Sequence, residues 1–569
     1  MGSNQQQGSL FLLRLLIFWG IICLVQAFFI ELDPDEAYYW IYTKQLDWGY
    51  FDHPPGIALI IKSGFVLFPN ELGVRLGVIL LHLLSIYIFW LWIGQPKERK
   101  QIWFMLALLL AMPLLQVYGL IATPDGPLLF FAVLFFYWYQ RFLEEPTYLN
   151  TFLLGFCMAA LLYSKYHGVL LIFFVVISNW SLLKNPRFYM ASIFGALLFV
   201  PHLYWQYLND FPSFRYHLQG RNDSYELKYT TTYLLNQLLI FSPFLLPFWL
   251  KALRESWSKD RMVRACYFVL FGFWGFFFYS SFKGHVEPQW TSILSIPIAY
   301  LLYHYSSTKP AFRKWLYRMA LFSFGIILFF RFFALMSNPF GFKSNFHRSD
   351  WIYELKKEAN GKPIVFENSY RDAAKYTFYA KEIALTFADH YYRKNQFDIW
   401  KKEVPLHNGV LLMVTQEHKD FSCNFCKKIK VDRKTFLLQE WELVQINQKV
   451  KVQPELVKYQ VNPNSDLALK LNIHNPYAHA IHSFKGNAPL QLMAAVYQDE
   501  NYQGYELSLE LEQLDFFIPP NDSIQVKASI PIPELPEGSY QFYIGFAMRN
   551  IHPAVQSPAI QVNITNAKE

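Results

Sequence analysis

The sequence predicts a polytopic α-helical membrane domain of about eleven spanning helices, followed by a soluble α/β unit and a β-sandwich. Three observations carry this. The 569 residues are 53% hydrophobic and 19% aromatic, which is too apolar for a wholly soluble protein of that size. The excess lies in roughly the first 340 residues, as runs of about 17–25, the length that crosses a hydrocarbon core of about 30 Å. Beyond them the composition is ordinary, with strand-like and helical stretches alternating first and short alternating strands afterwards. The expected domains are 1–340, 341–450 and 451–569.

The first run, Leu10–Ile30, has little positive charge before it and no small-residue cleavage signature after it, so it reads as a spanning helix and not a signal peptide. Ile57–Phe68 is too short to span comfortably and is expected to be re-entrant or to lie along the interface. Spans follow at about 71–94, 102–120, 124–142, 147–164, 167–184, 187–208, 232–253, 262–281, 289–304 and 312–336. The formal charge of +8 is explained by position. Lys97, Arg99 and Lys100, then Lys184 and Arg187, then Lys251, Arg254, Lys259, Arg261 and Arg264, and finally Lys309, Arg313 and Lys314 sit in short basic loops, which makes those loops cytoplasmic. No basic stripe exists, so nucleic acid is not an expected partner. With an odd number of helices, the acidic loop after the first helix faces outward. So do the Thr123–Pro127 turn, the Asn209–Tyr229 and Phe282–Trp290 loops and the C-terminal domains.

In the α/β unit, strands are expected at Pro363–Phe366, Ile383–Phe387 and Gly409–Val414, with helices near 350–358, 369–380 and 392–402. No glycine-rich phosphate loop accompanies them. The sandwich pattern rests on Leu467–Ile473, Leu490–Tyr497, Ser523–Ile530 and Tyr540–Ala547. Cys23, Cys157 and Cys266 lie in apolar runs as packing residues. Cys423 and Cys426 are half a zinc site without a second half, so a disulfide or two free thiols is expected ahead of a metal.

The outward loops hold the chemistry. Asp35 and Glu36 are either charges at a helix start or a general base for an acceptor hydroxyl; Tyr38, Tyr39 and Trp40 beside them read as interfacial anchors. Asp52 and His53, fixed before Pro54-Pro55, orient a substrate or share a divalent metal ion with Glu36. Asp125 suits capping and Lys165 suits snorkelling, with substrate contact as the alternative for each. Arg215, His217 and Arg221 in one loop, and Lys283, His285 and Glu287 in the next, form a mostly cationic set suited to a lipid phosphate. Carboxylates and cations on one face fit a reaction in which a carboxylate deprotonates an acceptor, the acceptor attacks an anomeric carbon, and a lipid phosphate leaves with inversion.

The pattern Asp35-Glu36-Ala37-Tyr38-Tyr39-Trp40, then Asp47-Trp48-Gly49-Tyr50-Phe51-Asp52-His53-Pro54-Pro55, then Arg75 in Glu71-Leu72-Gly73-Val74-Arg75-Leu76, resembles bacterial members of the protein mannosyltransferase and aminoarabinose transferase superfamily. These are C-type membrane glycosyltransferases that use lipid-phosphate-linked sugars. Pro124-Asp125-Gly126-Pro127, Ser164-Lys165-Tyr166, the Pro201–Arg221 segment and Glu287-Pro288-Gln289-Trp290 extend the likeness to about residue 336. The resemblance implies that Asp35 is the catalytic carboxylate, with Glu36 beside it and Arg75 in the substrate set. The aminoarabinose branch typically has Glu-Lys before Pro-Pro, where this chain has Asp52-His53, a departure that puts an aminoarabinose donor and a lipid A acceptor in doubt. The implied activity is inverting transfer from a polyprenyl-phosphate sugar to a hydroxyl of a glycan, lipid or protein at the outer face of a bacterial inner membrane. The C-terminal domains, extracytoplasmic in that setting, would position an acceptor or give structural support. A transporter or flippase for a lipid-linked sugar is the alternative, since intramembrane charges also mark transport paths.

Overall fold

The computed structural model describes residues 2–218, 225–336, 349–417, 423, 425–431, 434–499, 501–513 and 515–565. The chain divides into two compact units, Met1–Arg348 and Ser349–Glu569.

The first unit opens with α1 (Gly2–Phe29), α2 (Pro34–Tyr42), α3 (Gly56–Leu67), α4 (Glu71–Trp92), α5 (Arg99–Leu110) and α6 (Pro113–Val117). It continues with α7 (Asp125–Glu144), α8 (Tyr148–Ser164), α9 (Gly168–Ser178), α10 (Pro186–Leu208) and α11 (Pro212–Leu218). It closes with α12 (Leu227–Ile240), α13 (Leu246–Glu255), α14 (Arg261–Ser280), α15 (Ser295–Ser307) and α16 (Pro310–Ala334). Among the described residues six of these, α1, α4, α7, α10, α14 and α16, are long and apolar enough to cross a membrane, and α3, α8 and α9 are shorter apolar helices.

Several expected spans are interrupted, for identifiable reasons. The run over 102–120 breaks because Pro113 disfavours helical backbone in the residue before it; Met112 is extended, at φ −94° and ψ 111°. The run over 232–253 breaks at Phe241–Leu245, where Ser242 takes φ 65° ahead of Pro243. The runs over 167–184 and 289–304 keep their helices but exchange one end for 3-10 turns, Trp180–Lys184 and Pro288–Leu294. A broken helix in a bilayer needs neighbours that pair its freed backbone groups. Here α16 serves two breaks at once: Ser323 donates to the Ala111 carbonyl (2.8 Å), and Ser242 donates to the Ser323 hydroxyl (2.7 Å), all buried. Little of α16 is otherwise inside the protein, only 17% of its span. Its other polar tie is Arg331, which donates to Gln26 Oε1 (2.6 Å) and lies 4.8 Å over the Trp19 ring.

Small residues let helices approach closely, as membrane packing requires. The short α3 folds back on α4 with Gly64 against the Gly73 carbonyl, and α8 meets α10 with Gly155 against the Ala191 carbonyl; a Cβ at either glycine would collide. Tyr38 and Trp40, expected as interfacial anchors, are instead buried.

The second unit begins with α17 (Asp350–Ala359), β1 (Ile364–Glu367), α18 (Tyr370–Ala380), β2 (Leu385–Phe387), α19 (Gln396–Ile399), β3 (Leu411–Gln416), β4 (Lys427–Val431) and β5 (Lys434–Trp441). The sheet order is β2-β1-β3-β5-β4, with β1 parallel to β2 and β3 and the β5 pairings antiparallel. The helix expected over 392–402 shrinks to the short α19. The β4–β5 hairpin is an addition: the edge strand Lys427-Lys428-Ile429-Lys430-Val431 carries the lysines that protect a sheet edge, and these mask its strand character. Cys423 and Cys426 are joined in a disulfide.

The rest of this unit is built from β6 (Lys451–Pro454), β7 (Lys458–Val461), β8 (Asp466–His474), β9 (Ile481–His482), β10 (Leu490–Gln498) and β11 (Asn501–Ser508). The remaining strands are β12 (Glu510–Leu511), β13 (Phe517–Ile518), β14 (Ser523–Pro531), β15 (Gly538–Met548) and β16 (Ile560–Ile564). They form sheets β11-β10-β15-β16-β7 and β12-β14-β8-β6, with a small β13-β9 pair. The four sandwich strands expected from alternation are β8, β10, β14 and β15; in β8 buried and exposed residues alternate strictly up to His474.

One histidine in this unit gives it an acid-sensitive joint. His407 stacks on His479 with ring centroids 3.6 Å apart, and its Nδ1 accepts from the Ile446 amide (3.3 Å). Burial, followed by the nearby His479, Lys485 and His482, holds its pKa down at about 4. The unfolded chain takes up this proton near the ordinary value of 6.5, so stability present above that value is lost as pH falls from about 6.5 towards about 4. In full-length protein, the unfolding transition of this unit should shift to lower temperature between pH 7 and pH 5, and His407→Asn should reduce the shift. Equal acid sensitivity in the variant would reject the assignment.

Candidate active site

The acidic loop is shaped first by local helix chemistry. Asp33 caps α2: its Oδ1 accepts from the Asp35 amide (2.9 Å), and its own amide donates to Glu36 Oε2 (2.9 Å), a capping box with Pro34 at the first helical position. Asp35 and Glu36 therefore share one turn at the positive end of the helix. Their surroundings differ sharply.

Glu36 is fully buried. Its Oε1 accepts from Arg75 Nε (2.8 Å) and the Ala122 amide (2.8 Å), and its Oε2 from Arg75 Nη2 (2.5 Å) and the Asp33 amide (2.9 Å). These four donors match the lone-pair positions of a carboxylate. Arg75, also fully buried, sends its other hydrogens to the carbonyls of Ala27 (3.0 Å), Ile30 (2.8 Å) and Glu31 (2.8 Å). Together they clamp the end of α1, the start of α2, α4 and the loop before α7. Glu36, expected in catalysis or metal binding, and Arg75, expected among substrate contacts, bond to one another and to backbone, and this pairing holds the loop in place. Asp35 is half-buried.

Other connecting segments reach the acidic loop. The loop before α7 reaches the acidic loop through the Ala122 amide on Glu36 (2.8 Å). Asp125 Oδ1 accepts from Lys165 Nζ (2.8 Å), both side chains buried, so Asp125 does not cap and Lys165 does not snorkel. Asp52 is buried, with the Tyr42 hydroxyl 3.4 Å from its Oδ2, and its carbonyl accepts from His217 Nε2 (3.2 Å). His53 lies between Tyr39 and His217, at ring-centroid distances of 5.6 Å and 6.4 Å.

The expected cation set is only partly assembled. His217 joins the Asp52-His53 pair, whereas Arg215 pairs with Asp210 (2.6 Å) in a largely exposed contact. Lys283 is exposed over the Tyr279 ring, and His285 Nε2 lies 3.8 Å from Glu287. Arg221 falls outside the described residues. Among the described residues Glu36, Asp52 and His53 do not bring three ligand atoms together for a metal.

Residues that sequence reading passed over hold the far wall. His202 Nδ1 contacts the Trp48 carbonyl (2.7 Å) and its Nε2 the Tyr166 hydroxyl (3.0 Å). Gln206 Nε2 donates to Tyr166 Oη (2.9 Å) and to Ser213 Oγ (2.7 Å), and Ser213 donates to the Tyr50 carbonyl (3.0 Å). This chain of contacts ties the acidic loop to α10 and α11. The available signal was His202 and Gln206 at i,i+4 spacing on one face of an apolar helix.

Residues 52–205 match the family model described as Dolichyl-phosphate-mannose-protein mannosyltransferase. Among curated proteins no sequence matches the chain. Two crystal structures of ArnT from Cupriavidus metallidurans share its fold. The apo state is 14% identical with a TM-score of 0.58, and the state bound to undecaprenyl phosphate is 15% identical with a TM-score of 0.56; each alignment covers 75% of this chain and 97% of that one. At such identities the likeness shows the fold alone. In fold and in sequence model the chain resembles the protein mannosyltransferase and aminoarabinose transferase superfamily.

Proposed function

We propose that the chain transfers a sugar, with inversion, from a polyprenyl-phosphate donor to an acceptor hydroxyl, with Asp35 as general base. The observation that carries this reading is the division of the acidic pair: Glu36 is immobilised by Arg75, Ala122 and Asp33, which fixes the turn that carries half-buried Asp35. The structure of ArnT bound to undecaprenyl phosphate supports the donor class.

In the reaction the Asp35 carboxylate takes the hydroxyl proton as the acceptor oxygen attacks the anomeric carbon. The bond from that carbon to the phosphate oxygen breaks, and polyprenyl phosphate leaves with the bonding pair. Lys165, hydrogen-bonded to Asp125, and His217, hydrogen-bonded to the Asp52 carbonyl, are the groups that meet the growing charge. Asp52 holds His217 through its carbonyl. The site opens on the outer face of a bacterial inner membrane, and the second unit is periplasmic; the acceptor is a glycan, lipid or protein at that face.

The test is an assay of purified protein in lipid with a panel of polyprenyl-phosphate-linked sugars. Release of polyprenyl phosphate in step with an inverted glycoside supports the reading. Movement of the intact donor between leaflets without release, or no release with any donor that binds, would overturn it.

A further inference from the structure

In the second unit three side chains from distant parts of the chain converge on one point. His390, in the segment between β2 and α19, is buried, and its Nε2 lies 2.6 Å from Oε1 of Glu506 on β11. His552, between β15 and β16, brings its Nδ1 to the same oxygen, also at 2.6 Å. The candidate ligand atoms all lie within 4.8 Å of one another.

The hydrogen-bond arrangement around His390 fixes what its inner nitrogen presents. Tyr497 donates its hydroxyl hydrogen to the His390 carbonyl (3.0 Å), so the phenolic oxygen receives a hydrogen from His390 Nδ1 (2.8 Å). With Nδ1 protonated, the neutral ring carries its lone pair on Nε2, and that lone pair faces a carboxylate oxygen. Something positive must lie between them, and His552 Nδ1 faces the same carboxylate oxygen. Two protons, one for each ring, would serve; a single divalent cation serves both contacts at once. Asp389 Oδ2 is also buried with no hydrogen-bond partner among the described residues.

We propose that His390, Glu506 and His552 bind a divalent transition metal of the zinc class. Two imidazoles and a carboxylate suit zinc, whereas magnesium and calcium prefer all-oxygen sets. Zinc bonds of about 2.0–2.2 Å require ligand atoms about 3–3.5 Å apart, so on binding Glu506 Oε1 retreats from the two rings while the two ring nitrogens, now within 4.8 Å, close to that spacing. The Tyr497 contact is the outer partner that orients a metal-ligating histidine. Three protein ligands leave a fourth position, and Glu506 and His552 line a groove of about 370 Å³ with Asn550 and Arg549. That position is open to water or to an anionic ligand.

The experiment uses full-length protein in detergent, freed of any histidine tag, stripped with chelator and titrated with zinc chloride. Metal content is read by mass spectrometry and ligand geometry by the absorption of the cobalt(II) form. One zinc per chain is expected, lost in Glu506→Gln and His552→Asn. Tyr497→Phe keeps all three ligands and should weaken zinc binding by about 10- to 100-fold. If wild type takes up no stoichiometric zinc, or Glu506→Gln binds it equally, the site is refuted. Should the ligand variants fail to fold, the wild-type titration and the Tyr497→Phe comparison still decide. Loss of thermal stability in the variants with no zinc-dependent gain in wild type would mark the cluster as an ion pair only, and would also refute the site.

Discussion

Arg75→Ala is expected to destabilise the membrane unit by about 3–5 kcal/mol, the effect of removing one partner from a buried ion pair. The lost guanidinium leaves Glu36 charged with two fewer donors, and it also strips hydrogen bonds from the carbonyls of Ala27, Ile30 and Glu31. Thermal unfolding in detergent, followed by the reactivity of the buried thiols of Cys157 and Cys266, measures the change. Arg75→Lys should recover little, because an ammonium cannot reproduce a planar fork of five donors. Glu36→Gln combined with Arg75→Met should lose less than Arg75→Ala alone, since no uncompensated charge stays buried. A loss below about 1 kcal/mol for Arg75→Ala, the range of an exposed pair, would refute the clamp.

Asp35→Asn is expected to lower turnover by about 100- to 10,000-fold, the usual contribution of a positioned general base. Its backbone amide still reaches Asp33 in the variant, so the capping box and the Glu36–Arg75 pair should persist and the unfolding temperature should hardly move. That separates it from Glu36→Gln, which acts on stability. The measurement is kcat and donor KM for release of polyprenyl phosphate. A fall in kcat at unchanged KM fits a group acting in the transition state, whereas full activity in Asp35→Asn would remove the base from the mechanism.

Much of this was readable from local pattern. The Asp33-Pro34-Asp35-Glu36 start, the apolar runs of α1, α4, α7, α10, α14 and α16, and the alternation of β8 each follow from rules acting over a few residues. The division between Asp35 and Glu36 was not, because it depends on Arg75, 39 residues away from Glu36, and on an amide at Ala122. Nothing in neighbouring residues marks which of two adjacent carboxylates a distant guanidinium will hold. Arg215 shows the converse: a basic residue in the expected loop turns to an aspartate five positions earlier. The spans at 102–120 and 232–253 misled because hydrophobicity continues smoothly through Pro113 and Pro243 while backbone geometry does not. His390 and Glu506 are 116 residues apart and meet only through tertiary folding.

The Ser242–Ser323–Ala111 relay also bears on how the membrane unit comes apart. A peripheral helix with so little protein-facing surface would ordinarily exchange its neighbours for lipid at small cost. If α16 departs, however, the Ala111 carbonyl and the Ser242 hydroxyl are left unmatched in hydrocarbon, at several kcal/mol for each such group. This helix is therefore a latch for two interrupted ones, and α16, the α5–α6 junction and the α12–α13 junction are expected to open as one cooperative unit, which hydrogen exchange would read as a shared protection.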